Sequence, residues 1–294
     1  MSNDTNSNQK DPLEALHRDR SNLVRVLVQT LYKRQRSHSV YTDSVPRRII
    51  HYWNDIDRIP RDVKKCVESW AGLKEKGFEL LLFGECQARE FIRSKLGSRY
   101  EKAFDKCYHP AMQSDYFRLC YIYKNGGCYV DVDDVYCGVD IEYLFRDCRL
   151  KVQPLCYDIS ADGMVPVSVF TRPGANSLNW IFYFNNNPLI AARSHPVIKR
   201  ALLNATFSLD SYSSGQLPEI QSTTGPGNLS KSIYELAHTK GDIHNGLIVL
   251  REWEEIAITE WALNYRNDER NWRLSNQKEY SWLTAAMDAK REEW

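Results

Sequence analysis

Three carboxylates lie close together near the middle of the chain, at Asp131, Asp133 and Asp134, directly after a short apolar run. Carboxylates at the end of a buried strand are costly unless a cation shares their site. Hard divalent cations prefer oxygen ligands, and Mg²⁺ or Mn²⁺ is often held by one or two carboxylates together with substrate phosphates and water. In an extended strand Asp131 and Asp133 would point to one side, roughly 7 Å apart. The spacing predicts a site for one divalent cation and its ligand.

A helix and a strand must position these carboxylates. A proline opens the helix, and Gly126 with Gly127 ends it, because glycine accepts the left-handed backbone that a helix C-terminus favours. Residues 128–130 form a short, partly β-branched apolar run, which is typical of a buried strand. Within the helix, Asp115 and Arg118 are three residues apart and therefore share one face. We expect this charged pair beside the aspartates, at the edge where open α/β sheets bind ligands.

The order Ser-Asp-x-x-Arg, Gly-Gly, aromatic, Asp-x-Asp between residues 114 and 133 resembles the signature of family 32 glycosyltransferases, the capsular-polysaccharide type with a DXD sugar-binding motif. The glucosylating clostridial toxins are similar more distantly. The resemblance extends over about residues 45–230. It implies an α/β fold of the GT-A type, with a Rossmann-like, mostly parallel sheet, flanking helices and an irregular C-terminal half. It also implies a nucleotide-sugar donor, Mn²⁺ or Mg²⁺ as cofactor, and retention of the anomeric configuration.

The resemblance further implies roles for individual residues. The expected catalytic group is Asp115, Arg118, Asp131 and Asp133. The expected donor-binding residues are Tyr52, Trp53, Asp115, Arg118, Tyr129, Asp131 and Asn187. The expected metal ligands are Asp133, Asp131 and Asn271. Asn271 precedes a tryptophan where relatives have a histidine, so its amide oxygen replaces that ligand in this prediction.

Two of these residues have a plain structural alternative. Trp53 follows the predicted first strand, Arg47 to Tyr52, and is expected to stack on or wall the nucleotide base, although core packing explains such a residue equally well. Asn187 precedes a proline and is also a natural turn residue. A separate segment, residues 223–229, resembles the family's Thr-Gly-Pro helix start. The N–H groups of such a helix start could face a phosphate or the acceptor.

Strands and helices alternate from residue 47 to residue 134, which predicts a largely parallel sheet. A helix is expected from 59 to about 76, and later strands near 149–157, 164–170 and 180–184. We divide the chain into a polar N-terminus with a basic helix, 1–44, and one glycosyltransferase domain, 45–294. That domain has a nucleotide-sugar half, 45–135, and an acceptor-side half, 136–294.

Composition narrows the class of protein. A net charge of +1 over 294 residues argues against nucleic-acid binding. The eight cysteines are scattered, the N-terminus is no signal peptide, and no apolar run approaches the ~18 residues of a membrane span. We therefore expect a cytoplasmic enzyme, with a secreted effector or a membrane-peripheral protein as alternatives. The basic amphipathic helix at 13–36 either packs on the domain or makes a peripheral contact with an anionic membrane.

The expected partners are a UDP- or GDP-sugar donor and a glycan, lipid or protein acceptor. Two other functions stay open at this point. The run Asp131-Val-Asp-Asp-Val135 also fits a haloacid-dehalogenase-type phosphatase, although no later Asp-Asp pair follows it. A non-catalytic nucleotide-sugar binder with the same fold is the other, because the expected histidine is replaced at Asn271.

Overall fold

The computed structural model describes residues 12–31, 44–213, 215–240 and 243–275, which form both helices and strands. The α-helices are α1 (Pro12–Leu31), α2 (Arg61–Glu68), α3 (Glu85–Leu96), α4 (Ser98–Asp105), α5 (Pro110–Asn125), α6 (Val167–Phe170), α7 (Pro196–Ser211), α8 (Ile220–Thr223), α9 (Pro226–Lys240), α10 (Trp253–Ile256) and α11 (Trp272–Ser275). The strands are β1 (Arg48–Tyr52), β2 (Glu79–Phe83), β3 (Gly127–Tyr129), β4 (Asp134–Tyr136), β5 (Leu150–Asp158), β6 (Gly163–Met164), β7 (Trp180–Ala191), β8 (Leu247–Val249) and β9 (Ala257–Thr259).

Within the described residues, seven strands form the central sheet, in the order β2-β1-β3-β7-β5-β6, with β8 also paired to β5. Strand β1 is parallel to β2 and β3, and β8 is parallel to β5. Strand β7 is antiparallel to both of its neighbours, and β6 is antiparallel to β5. Hence β1, β2, β3, β5 and β8 run in one direction. The predicted α/β class, with a mostly parallel sheet and flanking helices, is confirmed, as expected for a GT-A type of fold. The prediction of an irregular C-terminal half needs a correction, because the long strand β7 and the helices α7 and α9 lie in that half.

Both faces of the sheet are covered. On one face Ile50 and Leu189 join a large core with helices α1, α5, α7 and α9. On the other face Ile49 and Ile190 pack with the two buried indoles of Trp70 and Trp253. Successive strand residues point to opposite faces, so a strand buried on both sides reads as a continuous apolar run.

The N-terminal helix α1 belongs to the larger of these cores. Val24, Leu27 and Val28 are fully buried, and the helix packs on β7 and α9. The predicted membrane contact through 13–36 therefore needs a correction, because the apolar face that would enter a membrane is covered by the domain itself. The part of that segment at 32–36 lies outside the described residues. The domain boundary drawn after residue 44 stays a prediction. No helix in the described ranges is long and apolar enough to span a bilayer.

The DXD residues lie on a turn, which corrects the prediction of an extended strand through Asp133. Strand β3 ends at Tyr129, and the backbone N–H of Asp134 donates to the carbonyl of Asp131 at 3.2 Å. The chain turns here because β4 leaves the central sheet and pairs with β9 in a separate two-stranded sheet. Asp131 and Asp133 thus stand at the junction of the two sheets, not on successive positions of one strand.

Two glycines connect α5 to β3, and both positions require glycine because neighbouring atoms come close and because the backbone angles are unusual. Gly126 and Gly127 have φ values of 67° and 124°, in the region that side chains rarely adopt. A Cβ at Gly126 would lie 2.8 Å from the backbone nitrogen of Arg193, and one at Gly127 would lie 2.8 Å from a methyl carbon of Ile50. The predicted helix stop is confirmed at this point.

Three other elements differ from the sequence-based predictions. The helix expected at 59–76 divides into α2 and a 3-10 helix at Ala71–Lys76. The strand expected at 164–170 is wrong beyond Met164, because the chain enters the helical turn α6 directly after Pro166, which is its N-cap residue. The strand expected to end at 184 continues to Ala191, because β7 lies between β3 and β5 and bonds to both.

Candidate active site

An open cavity of about 1320 Å³ lies beyond the carboxyl ends of β1 and β3. Its lining includes almost all of the residues that the sequence predicted for the site: Tyr52, Trp53, Asp115, Arg118, Asp131, Asp133, Asn187 and Asn271. These residues come from five separated segments of the chain. The position agrees with the general rule that open α/β sheets bind ligands outside the carboxyl ends of their strands.

Arg118 is the most firmly held charge in the cavity wall. Its Nη2 donates to Asp131 Oδ1 at 2.8 Å and lies 3.1 Å from Asp115 Oδ1, while its Nη1 donates to the carbonyl of Asn186 at 2.9 Å. Only 3% of the side chain is exposed. Burial opposes its charge, but Asp131, Tyr129 and Asp115 together raise the pKa of Arg118 above its ordinary value. The guanidinium therefore stays charged and fixes the positions of two carboxylates.

The ring of Tyr129 packs against the guanidinium of Arg118. The ring lies 4.3 Å from the centre of the guanidinium, and the hydroxyl of Tyr129 is 2.7 Å from Ser114 Oγ. The tyrosine is fully buried and does not line the cavity. Direct donor contact by Tyr129 therefore needs a correction: the last residue of β3 points into the core, and its side chain reaches the cavity only through Arg118.

Asp115 lies where helix α5 meets the start of α9. Its Oδ1 accepts from Asn186 Nδ2 at 2.8 Å, and its Oδ2 accepts from Thr224 Oγ1 at 3.5 Å. Burial raises the pKa of Asp115, and Arg118 opposes that rise. A Cβ at Gly225 would stand 3.0 Å from the carboxylate, so the Thr-Gly-Pro segment at 223–229 packs directly on this residue.

Asn187 holds the DXD turn in place. Its Oδ1 accepts from the backbone N–H of Asp131 at 3.0 Å, and its Nδ2 donates to Asp134 Oδ2 at 3.0 Å. The buried carboxylate of Asp134 also accepts from Thr259 Oγ1 at 2.7 Å and from Trp253 Nε1 at 3.3 Å. The third aspartate of the cluster therefore anchors the turn to both sheets. Burial and the neighbouring Asp133 raise the pKa of Asp134 to about 6.

Asp133 is bound by two residues that the sequence did not single out. Its Oδ2 accepts from the hydroxyl of Tyr265 at 2.7 Å and forms an ion pair with Arg266. Both residues belong to a 3-10 helix at Asn264–Asn267, within the stretch where the family resemblance is weak. A signal was present nonetheless, because this stretch concentrates arginines and aromatic residues: Trp261, Tyr265, Arg266, Arg270, Trp272 and Arg273.

Asn271 also lies in the cavity wall, but its amide is engaged elsewhere. Its Nδ2 donates to the carbonyl of Arg266 at 2.6 Å, and its Oδ1 accepts from the backbone N–H of Arg273 at 3.1 Å. This is the bonding of a residue that caps a helix N-terminus, here that of α11. A metal-ligating role for Asn271 stays a prediction and would require this cap to open.

The two aromatic residues at the end of β1 differ in their surroundings. Tyr52 is 3% exposed, and its hydroxyl donates to Gln113 Oε1 at 2.9 Å. Trp53 is 8% exposed and meets the ring of Tyr265 edge-on, with the centroids 5.4 Å apart. Leu263 and Val132 pack in the same small cluster as Trp53. The tryptophan thus serves as core and as cavity wall at once.

A divalent cation fits this site only if substrate completes its shell. The described residues contain no group of three His, Cys, Asp or Glu side chains able to hold a metal by themselves. Asp131 and Asp133 nevertheless both face the cavity, and 33% of the Asp131 side chain is exposed. One or two carboxylates with phosphate and water oxygens is a normal set for Mg²⁺ or Mn²⁺. The donor set is therefore compatible with a metal that arrives together with a nucleoside diphosphate.

Residues 60–139 match the family model described as "Glycosyltransferase sugar-binding region containing DXD motif". The matched part is about a quarter of the chain and includes Asp115, Arg118, Asp131 and Asp133. No curated protein sequence matches the chain. A solved structure, the PaToxG glycosyltransferase, is similar over 90% of this chain and 96% of that chain, at 12% identity and a TM-score of 0.43. A likeness at that level carries no argument about function.

The family model confirms the enzyme class that the sequence predicted. The region that it matches contains the Asp115–Arg118 pair and the DXD turn, which the structure places on one wall of the cavity. Glycosyltransferases with this motif generally use a divalent metal, and such a sugar-binding region implies a nucleotide-sugar donor and an acceptor. The chain carries a DXD sugar-binding region, and its enzyme class is that of the glycosyltransferases.

Proposed function

We propose that this protein is a metal-dependent, retaining glycosyltransferase of the family 32 type, which moves a sugar from UDP or GDP to a glycan, lipid or protein acceptor. The observation that carries the proposal is the meeting of Asp115, Arg118, Asp131 and Asp133 on one wall of the cavity. Paired carboxylates and a fixed guanidinium suit a substrate that has both hydroxyls and phosphates.

The residues have distinct parts in this proposal. Asp115, buried beside Arg118, accepts hydrogen bonds from sugar hydroxyls, while the arginine orients the donor and holds Asp131. Asp131 faces the ribose and sugar hydroxyls. Asp133, with Asp131 beside it, holds the divalent ion, Mn²⁺ or Mg²⁺. When bound, that ion offsets the negative charge gained by the departing nucleoside diphosphate. Asn271 is the proposed third ligand from the protein.

The donor nucleotide is proposed to lie against Tyr52 and Trp53, at the end of β1. The base would lie against the indole, next to Tyr265, whose ring contacts Trp53. From there the diphosphate would reach the DXD turn, which follows the neighbouring strand β3. Asn187 contributes by holding that turn. Its side-chain oxygen accepts from the backbone N–H of Asp131, and its side-chain nitrogen donates to Asp134.

A screen of nucleotide sugars tests the proposal directly. Many glycosyltransferases hydrolyse their donor slowly when no acceptor is present, so a panel of UDP- and GDP-sugars with Mn²⁺ should identify one that is hydrolysed. Release of labelled sugar from one donor, at a rate well above that of heat-treated protein, is the expected result. Donor binding without any turnover, with and without candidate acceptors, would instead favour a non-catalytic nucleotide-sugar binder.

Removal of the metal should abolish the activity. Excess EDTA is expected to reduce donor hydrolysis to background, and added Mn²⁺ or Mg²⁺ should restore it, because the leaving diphosphate then regains its counter-charge. The measurement is the hydrolysis rate before chelation, after chelation and after metal is added back. Full activity in excess EDTA would rule out the metal role of Asp133.

Replacing Trp53 with alanine should weaken nucleotide binding by on the order of 1–3 kcal/mol, the loss typical of a stacking aromatic residue. Since Trp53 also packs with Leu263 and Val132, some loss of thermal stability is expected as well. Calorimetric titration of UDP and GDP, together with a melting curve, separates the two effects. Trp53→Phe is the control, because it keeps an aromatic face and most of the packing. A lower melting temperature with unchanged nucleotide affinity would make Trp53 a core residue only.

A further inference from the structure

The proposed metal ligand Asp133 is already paired with a cation of the chain itself. Its Oδ2 forms an ion pair with Arg266 and also accepts from the hydroxyl of Tyr265. The side chains of Arg266 and Asp133 are 11% and 12% exposed, and both line the cavity. A guanidinium therefore lies where the proposed function requires a divalent ion.

Arg266 is held much less firmly than Arg118. Its buried Nε has no hydrogen-bond partner among the described residues, and its guanidinium lies over the ring of Trp261, 4.3 Å from the centroid. Trp261 is itself 62% exposed. Arg118, by contrast, bonds to Asp131, to Ser114 and to the carbonyl of Asn186. Arg266 can leave Asp133 without breaking another side-chain hydrogen bond, whereas Arg118 is fixed.

A divalent ion at Asp133 would compete with Arg266 for one carboxylate. Such an ion would lie within a few ångströms of the guanidinium. At that distance the two positive charges would repel each other strongly. Incoming phosphate oxygens offer the displaced guanidinium a new partner, because arginine binds phosphate through charge-assisted and often bidentate hydrogen bonds. Entry of the donor thus provides both the metal's missing ligands and a new site for the arginine.

We propose that Arg266 occupies Asp133 in the donor-free enzyme, competes there with the divalent metal, and moves to the diphosphate of the donor when metal and nucleotide bind. This inference rests on the proposed function, because it takes the metal to bind at Asp133. It makes Arg266 a leaving-group-binding residue and explains why the metal would bind well only together with nucleotide.

The test measures Mn²⁺ binding and nucleotide binding separately on the 294-residue chain, by electron paramagnetic resonance and by calorimetry. In Arg266→Ala without nucleotide, Mn²⁺ should bind on the order of tenfold more tightly, because the competing charge is gone. With Mn²⁺ saturating, the affinity of the same variant for UDP or GDP should fall on the order of tenfold, because a phosphate contact is lost. Local unfolding would not produce these two opposite shifts.

Three further variants serve as a repeat and as controls for this test. Arg266→Gln repeats it with an uncharged polar side chain that fills more of the space than alanine does, in case the alanine variant does not fold. Arg266→Lys retains the charge, so its Mn²⁺ affinity should stay near that of the wild type. Arg270→Ala removes a nearby charge that is paired with Asp268, not with Asp133, and should leave Mn²⁺ binding unchanged.

Different results would contradict different parts of the proposal. Equal or weaker Mn²⁺ binding in both neutral variants would overturn the competition, while the metal role of Asp133 would stand. Unchanged nucleotide affinity would overturn the transfer of Arg266 to the diphosphate. If Mn²⁺ bound neither the wild type nor the variants, with or without nucleotide, the metal role in the proposed function would fail together with this inference.

Discussion

Asp133→Asn is expected to lower donor turnover by about 10²–10³-fold, the usual effect of losing one preorganised electrostatic element, or roughly 3–4 kcal/mol. Asparagine has almost the same shape, and its carbonyl can still accept from the hydroxyl of Tyr265. It carries no charge, however, and so should hold the metal that offsets the leaving diphosphate much more weakly than the carboxylate does. Single-turnover kinetics with the donor identified in the screen, with and without excess Mn²⁺, provide the measurement.

The fold should tolerate this change. Asp133 has Asp131 and Asp134 as close neighbours along the chain, so removal of its charge relieves repulsion even as the ion pair with Arg266 is lost. We expect the melting temperature to stay near that of the wild type. The exposed Asp57→Asn is a matched control, which should change neither turnover nor melting. Near wild-type turnover of Asp133→Asn with the correct donor would show that this carboxylate is not a metal ligand.

The second large effect is expected at Arg118. Arg118→Ala would leave the carboxylates of Asp115 and Asp131 without their shared cation, in a site where only 3% of the arginine side chain is exposed. Breaking a buried pair by removal of one partner costs about 3–5 kcal/mol. Denaturant unfolding of the variant should show a loss of that size, and donor hydrolysis should disappear with it.

Arg118→Lys separates charge from geometry. A lysine can neutralise Asp131 or Asp115 but cannot reach both carboxylates and the carbonyl of Asn186, because it lacks the planar fork. We expect a folded protein with clearly reduced turnover. Arg99→Ala is the control for stability, since its ion pair with Asp210 is exposed and should contribute less than about 1 kcal/mol. Wild-type activity in Arg118→Lys would mean that only the charge matters.

The sequence alone predicted those features that depend on residues close together along the chain. The helix α5, its stop at Gly126 and Gly127, the buried strand β3 and the charged pair Asp115–Arg118 all follow from short-range rules. Helix periodicity places two charges on one face, and glycine alone accepts the backbone angles required at the stop. The same stretch carried the resemblance, and the family model that confirms the enzyme class includes it.

Only the tertiary structure decided that the DXD residues lie on a turn and which side chains contact them. A strand continues or turns according to which partner its backbone bonds to, and here β4 pairs with β9, 121 residues or more further along the chain. The same long-range packing brings Tyr265 and Arg266 onto Asp133 and buries the apolar face of α1 on the domain. No local pattern encodes such contacts, because their free energy comes from groups that meet only when the whole chain has folded. The sequence thus determined which residues could do the chemistry, and the fold determined that an arginine lies against the carboxylate proposed to bind the metal.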